Sequence, residues 1–310
     1  MRFDVNHFKN LQGQLTMNAS LAEYTSWQVG GPADCLYIPA NVEDAAIFLQ
    51  QVPKEVPILW LGLGSNMLIR DAGVEGVVIV TRGTLATITQ LDDTHIKAEA
   101  GVACAQIARY SARLGLTGIE FLAGVPGTVG GALAMNAGCW GGETWSFVSQ
   151  VETVNRHGQL KHRDANEYSV SYRHVARPQD EWFVAGYFSL QQGDKEKSLT
   201  EIRTLLEKRS ASQPTGLPNC GSVFRNPANT FAGKLIEASG LKGKRIGGAY
   251  VSEKHANFII NDGHAKAADI EQLIAYVVDV VNQQQGVQLI PEVYIAGRTT
   301  NDYSQTEKLA

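Results

Sequence analysis

Three side chains in separate parts of the chain have the chemistry needed to act on an anionic substrate. Ser222 is followed closely by Arg225 and Asn226, a setting that suits a proton donor beside an anion. Arg173 carries the guanidinium that recognises carboxylate or phosphate groups in a bidentate way. Glu292 interrupts an otherwise apolar stretch, and in a closed site desolvation would raise its pKa and make it an acid.

Each of these side chains also has a simpler interpretation. Ser222 suits a capped turn, Arg173 a surface ion pair and Glu292 a charge at the edge of a strand, so none of them decides the function alone. No histidine stands beside Ser222 and there is no G-x-S-x-G elbow, which disfavours a hydrolase.

Two glycine-rich loops precede these residues, Gly62-Leu63-Gly64-Ser65-Asn66 and the segment from Gly124 to Gly131. Such loops can turn several backbone N–H groups toward one point and let a ligand approach the main chain. They predict a large cofactor with a diphosphate. The first loop is not a Rossmann fingerprint, because the third glycine and the following amphipathic helix are missing. An ordinary turn between strands stays open as its alternative.

The second loop gives the more specific signal. Four glycines fall within its eight residues, and small residues continue through Gly138. So many small positions indicate that something flat or bulky packs against the backbone. The residues predicted to bind the cofactor are Gly62, Gly64, Ser65, Asn66, Gly124, Val125, Pro126, Gly127, Thr128, Gly130, Gly131, Asn136 and Gly138.

Hydrophobic periodicity and turn residues predict an α+β protein. The predicted helices are 41–51 with Asn41 as its N-cap, 104–114, 199–209 and 267–285, and the predicted strands are 57–61, 77–80, 96–100, 151–154, 182–190 and 287–296, the last interrupted by Pro291. Residues 191–197 are polar and predict a linker. We expect a cofactor-binding domain at 1–195, a smaller substrate domain at 196–298 and a disordered polar tail at 299–310.

Composition narrows the class of protein. The chain has 310 residues, is 44% hydrophobic and 19% charged, and has a net charge of −4, which implies no general affinity for nucleic acid. No apolar run is long enough for a bilayer and the N-terminus has no apolar signal region, so we expect a cytoplasmic protein without a membrane partner. The four cysteines and seven histidines show no metal-ligand spacing, and we expect no metal.

Taken in order, the motifs resemble those of the UDP-N-acetylenolpyruvoylglucosamine reductases. The resemblance extends from about residue 18 to residue 298. It is carried by the segments Trp27-Gln28-Val29-Gly30-Gly31-Pro32-Ala33, Leu63-Gly64-Ser65-Asn66, Ala123-Gly124-Val125-Pro126-Gly127-Thr128-Val129-Gly130-Gly131, Tyr172-Arg173, Gly221-Ser222-Val223-Phe224-Arg225-Asn226-Pro227, His255-Ala256-Asn257-Phe258 and Pro291-Glu292-Val293.

This resemblance implies a flavoprotein with an FAD-binding fold of the vanillyl-alcohol-oxidase and p-cresol methylhydroxylase type, followed by an α+β domain. It implies non-covalent FAD, NADPH as co-substrate, and reduction of UDP-N-acetylglucosamine enolpyruvate to UDP-N-acetylmuramate for the peptidoglycan of the cell wall. In the matching positions, Ser222 would donate the proton, and Arg173 and Glu292 would stabilise the enolate. The oligomeric state is left open, a monomer included.

One departure concerns the substrate site. Between Arg173 and Ser222 there is no room for the folded insertion of the longer family members, so the chain resembles the shorter subtype. Tyr172, Arg225 and Asn226 are the expected substrate contacts. Two other classes stay open: a flavin oxidase of the same fold, although no histidine lies near Gly62 or Gly124 for covalent attachment, and a non-catalytic nucleotide-binding module.

Overall fold

The computed structural model describes residues 7–299, so all of the predicted tail except Thr299 lies outside the described residues. Contacts divide the chain into two compact units. Of the described residues, the first unit comprises 7–17, 35–63 and 77–209, and the second comprises 18–34, 64–76 and 210–299. Both units are therefore discontinuous in sequence. The functional division near residue 195 stays a prediction.

Six α-helices lie in the described part of the chain: α1 Val42–Gln51, α2 Cys104–Arg113, α3 Val129–Met135, α4 Lys195–Ser212, α5 Ala232–Ala238 and α6 Ala267–Gln285. Asn41 is the N-cap of α1 as predicted, and its side chain accepts a 2.8 Å hydrogen bond from the Asp44 amide. Helix α6 keeps its predicted bounds and ends at Gly286, whose φ of 67° favours glycine. No described helix is both long and apolar enough to span a membrane.

The strands are β1 Gln14–Ser20, β2 Pro32–Ile38, β3 Ile58–Leu61, β4 Met67–Ile69, β5 Val74–Val80, β6 Ile88–Gln90, β7 His95–Glu99, β8 Leu116–Thr117, β9 Gly138–Cys139, β10 Gly142–Glu143, β11 Val148–Asn155, β12 Leu160–Asp164, β13 Ser169–Ser171, β14 His174–Ala176, β15 Glu181–Ser189, β16 Gln191–Gln192, β17 Arg245–Ile246, β18 Ala249–Val251, β19 Ile259–Asn261 and β20 Tyr294–Ala296. Short 3₁₀ turns occur at Ala22–Tyr24, Glu120–Gly124, Thr144–Ser146 and Ala165–Glu167.

Two predictions about elements were wrong. The final strand covers only β20 instead of 287–296, because Pro291 has no N–H to donate and Phe224 meets it in an isolated bridge. The predicted linker 191–197 instead contains β16 and the start of α4. The Asp194 side chain accepts a 2.9 Å bond from the Lys197 amide and so caps that helix.

Each unit has its own β-sheets. In the first unit, a five-stranded sheet has the order β12-β11-β15-β7-β6 with antiparallel neighbours, and β3 pairs in parallel with β5 from residue 77 onward. In the second unit, β17, β18 and β19 form an antiparallel sheet, and β20 pairs in parallel with β4. The apolar face of α6 packs into the core of the second unit through Ile270, Leu273, Ile274, Val277 and Val281.

A buried carboxylate connects α4 to the turn that precedes the second glycine loop. Glu120 is only 5% exposed and accepts hydrogen bonds from the hydroxyls of Thr117 and Ser198, both at 2.6 Å, and from the Gly118 amide at 2.8 Å. Burial alone would raise the pKa of Glu120, but these hydrogen bonds outweigh it and lower the pKa below its ordinary 4.5. The ionised carboxylate therefore stabilises the fold.

We predict that Glu120→Gln lowers the free energy of unfolding by about 1–3 kcal/mol at neutral pH, the cost of a lost charge-assisted hydrogen bond. Because the folded pKa is depressed, this stabilisation is present above the ordinary pKa of 4.5 and is lost as the pH falls through the folded value. Urea unfolding at pH 7 and near pH 4 should show the gap between variant and parent closing. Glu207→Gln, at an exposed position on α4, is the control. An equal gap at both pH values would contradict the prediction.

Candidate active site

The second glycine loop is held by backbone contacts within the first unit. The amides of Val129 and Gly130 donate to the carbonyls of Val102 and Ala100 at 2.8 and 2.9 Å. A Cβ on Gly130 would lie 2.9 Å from the Cβ of Ala100, so glycine is required there for packing. Since the fold already uses these two N–H groups, a phosphate would have to be bound by other groups of the loop.

One such group is the hydroxyl of Thr128. Thr128 is 3% exposed, and no described residue forms a hydrogen bond with its Oγ1. A Cβ placed on Gly62 would collide with this oxygen, so the first unit brings Gly62 and Thr128 face to face. A buried hydroxyl without a partner costs about 1–3 kcal/mol. The site is therefore suited to a ligand that supplies an acceptor at this point.

Asn136 positions the chain that follows α3. Its φ of 46° and ψ of 53° are left-handed, and it ends the helix as the C-cap. Its Nδ2 donates to the Glu143 carboxylate at 2.9 Å and to the Ser171 carbonyl at 3.3 Å, and its Oδ1 accepts from the Trp145 amide at 3.1 Å. All of its side-chain polar atoms are therefore engaged by the protein, and its predicted cofactor contact stays a prediction.

Arg173 lies in the turn between β13 and β14, with a left-handed φ of 56°. Its guanidinium donates a 2.8 Å hydrogen bond to the Gly138 carbonyl, and it lies 5.3 Å from the ring centroid of Tyr172, which is 50% exposed. Through Asn136 and Gly138, the first unit thus places Arg173 beside the segment that follows the second glycine loop. This arrangement presents a cation and an aromatic ring together.

Sequence reasoning gave no role to Trp140, which follows Gly138 in the sequence. A Cβ on Gly124 would collide with its ring, so the indole covers that glycine, and 44% of Trp140 remains exposed. The neighbouring Cys139 donates to the Phe121 carbonyl. Burial raises the pKa of the Cys139 thiol to about 11, although Arg173 opposes the rise, so this cysteine is not a nucleophile.

In the second unit, the remainder of the first glycine loop supports Glu292. Gly64 has a φ of 67°, and a Cβ there would collide with the Tyr24 carbonyl. The Asn66 side chain donates to the Glu292 carbonyl at 3.1 Å, and the Asn66 carbonyl accepts from Tyr294 at 2.9 Å. The loop that predicted a cofactor contact therefore also fixes the backbone of a predicted catalytic residue. The half-buried Ser65 lies in sequence between Gly64 and Asn66, the two residues that make these contacts.

Ser222 and Glu292 lie on two segments joined by the backbone of the second unit. The Glu292 amide donates to the Val223 carbonyl at 2.7 Å, beside the isolated bridge that links Phe224 with Pro291. Ser222 is exposed and Glu292 is partly exposed. Two residues far apart in sequence are thus held close along the backbone, with an exposed hydroxyl on one segment and a carboxyl on the other.

Asn257 is the functional candidate that residue-by-residue reasoning missed. It is 3% exposed, and its side chain pairs with both the N–H and the C=O of Phe224, each at 2.9 Å. The signal was present in the sequence as an asparagine inside the apolar run from Ala256 to Ile260. Such a residue is a buried amide that needs partners.

The two predicted uridine-diphosphate contacts have different surroundings. The Arg225 backbone amide donates to the Ile290 carbonyl at 2.9 Å. The Nε of the Arg225 side chain is buried and has no hydrogen-bond partner among the described residues. The Oδ1 of Asn226 accepts from the Ala232 amide at 3.1 Å, at the start of α5. Arg225 therefore retains the donor suited to a phosphate. Both assignments stay predictions.

Cys220 and the possible metal ligands were the other sequence candidates. Burial raises the pKa of Cys220 to about 12, and the cysteine contacts the Gly64 and Met67 carbonyls through sulfur, as expected for a small buried residue. Among residues 7–299, no cluster of three or more histidine, cysteine, aspartate or glutamate side chains could hold a metal ion.

Comparison with known proteins gives two family matches along the chain. Residues 33–163 match an FAD binding domain, and residues 213–296 match the C-terminal domain of UDP-N-acetylenolpyruvoylglucosamine reductase. The two matches define an FAD-dependent oxidoreductase, and they confirm the predicted α+β fold with its FAD-binding domain and smaller C-terminal domain. FAD is accordingly the cofactor.

The relatives specify the family. A UDP-N-acetylenolpyruvoylglucosamine reductase of Legionella pneumophila is 56% identical over 295 residues, 95% of this chain and 96% of that protein. One from Alkalilimnicola ehrlichii is 53% identical over 285 residues, 92% of this chain and 95% of that protein. The solved reductase of Thermus caldophilus is 31% identical with a TM-score of 0.79 and covers 93% of this chain and 100% of its own. The chain belongs to the UDP-N-acetylenolpyruvoylglucosamine reductase family.

We predict that Thr128→Val weakens FAD binding by about 10- to 100-fold, because one hydrogen bond to a charged phosphate is worth about 1.5–3 kcal/mol. The hydroxyl has no partner to lose among residues 7–299, so the variant should melt at the parent's temperature or slightly above it when both are free of flavin. Titration of the flavin-free protein with FAD measures the dissociation constant.

The matched control is Thr204→Val, where the exposed hydroxyl bonds to the Thr200 carbonyl within α4. It should bind FAD as the parent does. If Thr128→Val binds FAD with the parent's affinity, the Thr128 hydroxyl does not contact the cofactor.

Proposed function

We propose that this protein catalyses the NADPH-dependent reduction of UDP-N-acetylglucosamine enolpyruvate to UDP-N-acetylmuramate, in the cytoplasm, for cell-wall synthesis. The observation that carries the proposal is the backbone hydrogen bond between Val223 and Glu292, because it holds the segment of Ser222 beside that of Glu292 in a chain that belongs to the reductase family. FAD, when bound, supplies the relay that carries a hydride from NADPH to the vinyl carbon of the substrate.

Addition of hydride to the vinyl carbon moves the electron pair of the double bond toward the substrate carboxylate and forms an enolate. Arg173 donates hydrogen bonds to this carboxylate, and Glu292 acts with it in stabilising the enolate. Donors fixed in advance act more strongly on the transition state than on the ground state. The hydrogen bond from Arg173 to the Gly138 carbonyl, at 2.8 Å, supports such fixing because it leaves the guanidinium's orientation little freedom.

Ser222 completes the reduction by donating a proton to the carbon next to the one that received the hydride. One hydride and one proton are thereby added across the double bond, NADPH becomes NADP⁺, and the exposed Ser222 oxygen regains its proton from solvent. The exposed position of Ser222 suits this role, since its hydroxyl must reach the substrate while its backbone stays fixed. Arg225 and Asn226 follow it and supply donors for the diphosphate of the substrate.

The direct test is NADPH oxidation by the purified protein with and without UDP-N-acetylglucosamine enolpyruvate. We expect a yellow protein that releases FAD on denaturation, consumes NADPH when the enolpyruvyl substrate is present and forms UDP-N-acetylmuramate, detected by mass spectrometry. Consumption of NADPH that does not depend on this substrate would reject the proposed reaction.

We predict that Ser222→Ala separates the two halves of the reaction. Flavin reduction by NADPH should stay within about twofold of the parent rate, whereas reoxidation by the enolpyruvyl substrate should slow by about 10²–10⁴-fold, the range for a lost general acid. Rapid mixing under anaerobic conditions follows each half through the flavin absorbance. Ser210→Ala, an exposed serine of the same unit, should change neither half. Normal reoxidation in Ser222→Ala would show that another group donates the proton.

A further inference from the structure

The segment that carries Ser222 has no regular secondary structure, yet its backbone is tied at successive residues. The Val223 amide donates to the Asn257 carbonyl at 2.9 Å, and the Val223 carbonyl accepts from Glu292. The Phe224 peptide groups both bond to the Asn257 side chain. Asn257 therefore makes three hydrogen bonds to two consecutive residues, and it does so where no strand or helix supplies partners.

The other side of Ser222 is also fixed. The Gly221 amide donates to the Asn219 side chain at 2.9 Å, and Gly221 has a φ of 71°. Ser222 is thus an exposed residue between two anchored neighbours, and the direction of its side chain depends on the peptides at both sides. On the C-terminal side, the anchors are Asn257 and the Glu292 amide.

Asn257 is itself held in place by its own loop. Its amide donates to Nδ1 of His255 at 3.2 Å, and the His255 amide donates to the Ser252 hydroxyl at 3.3 Å. Burial lowers the pKa of His255, which favours the neutral ring that can accept at Nδ1. The Asn257 backbone is therefore fixed, and its side-chain amide is held in position to bond to Phe224.

We propose that Asn257 is a positioning residue that fixes the Ser222 hydroxyl relative to Glu292 for proton delivery, an inference that rests on the proposed function. The Asn257 side chain never reaches the substrate in this assignment. It acts through the peptide groups of Phe224. The Phe224 side chain is only 2% exposed, so burial of the ring also holds this residue in place. Displacing a reacting group by about 1 Å can cost about 10²-fold in rate.

The test variant is Asn257→Ala, which removes both side-chain bonds to Phe224. Reoxidation by the enolpyruvyl substrate should slow by about 10- to 100-fold because the hydroxyl is misplaced, while flavin reduction by NADPH stays within about twofold. Placed on a Ser222→Ala background, the same change should slow reoxidation by less than about twofold, because residues that act through one group are not additive.

The chain offers a matched control in Asn261. It has the same 3% exposure as Asn257 and also makes three side-chain hydrogen bonds, to the Trp27 carbonyl at 2.8 Å and from the amides of Gly263 and Ala265 at 2.8 and 3.0 Å. Asn261→Ala should lower the melting temperature as Asn257→Ala does, with both half-reactions close to the parent's.

Hydrogen exchange gives a measurement that needs no turnover. Amides in the peptide covering residues 221–226 should exchange faster in Asn257→Ala than in the parent or in Asn261→Ala. If Asn257→Ala does not fold, Asn257→Asp keeps the size and the acceptor for the Phe224 amide, and places a carboxylate oxygen against the Phe224 carbonyl. That variant should also slow reoxidation selectively.

Three results would overturn the inference: unchanged reoxidation in a folded Asn257 variant, an equal fall in both half-reactions, or an additive loss on the Ser222→Ala background. Failure of the proposed function looks different, because the parent itself would then fail to consume NADPH with the enolpyruvyl substrate. In that case the role in proton delivery is rejected too, and the exchange data report only whether Asn257 holds the segment.

Discussion

The hydrogen bond from the Glu292 amide to the Val223 carbonyl is the contact on which the proposed substrate chemistry depends. It joins two segments that lie outside regular strands, so no continuous ladder holds them in register. Buried peptide groups still need partners, and here side-chain amides supply them: Asn257 for the Ser222 segment and Asn66 for the Glu292 segment. The geometry of the proposed catalytic residues thus depends on a few individual asparagines, each of which has a specific backbone partner.

At several positions of the two loops, and at Gly138 after the second loop, close packing of the backbone requires glycine whether or not a ligand is bound. Gly130 lies against Ala100, Gly64 against the Tyr24 carbonyl and Gly138 against the Gly142 carbonyl, and each position excludes a Cβ. These close approaches give the loops their shape. Binding of a cofactor then depends on the groups that this shape leaves accessible, among which the Thr128 hydroxyl is the best defined.

Much of the fold could be predicted from the sequence where the signal is local. The cap at Asn41 and the apolar stripe of α6 gave their helices correctly, because both depend on residues within a few positions of each other. The start of α4 was wrong because a polar stretch was interpreted as a linker although Asp194 supplies a cap. The motifs identified the family and cofactor, since their order along the chain is specific.

The internal arrangement of the site could not be predicted in the same way. The contacts between Asn257 and Phe224, 33 residues apart, and between Asn66 and Glu292, 226 residues apart, arise from tertiary folding. An asparagine in an apolar run indicates a buried amide but does not say which backbone it holds. Likewise, nothing in the spacing of Thr128 and Gly62 indicates that one faces the other.

The Thr128 hydroxyl, which has no hydrogen-bond partner among the described residues, would couple binding of the cofactor to the stability of the fold. Without a ligand at this point, the folded chain carries the desolvation cost of the hydroxyl, and a ligand that supplied the acceptor would remove that cost. A ligand that binds only the folded state also raises the folded population by mass action. When flavin is scarce, the empty protein opens more often and is exposed to proteases.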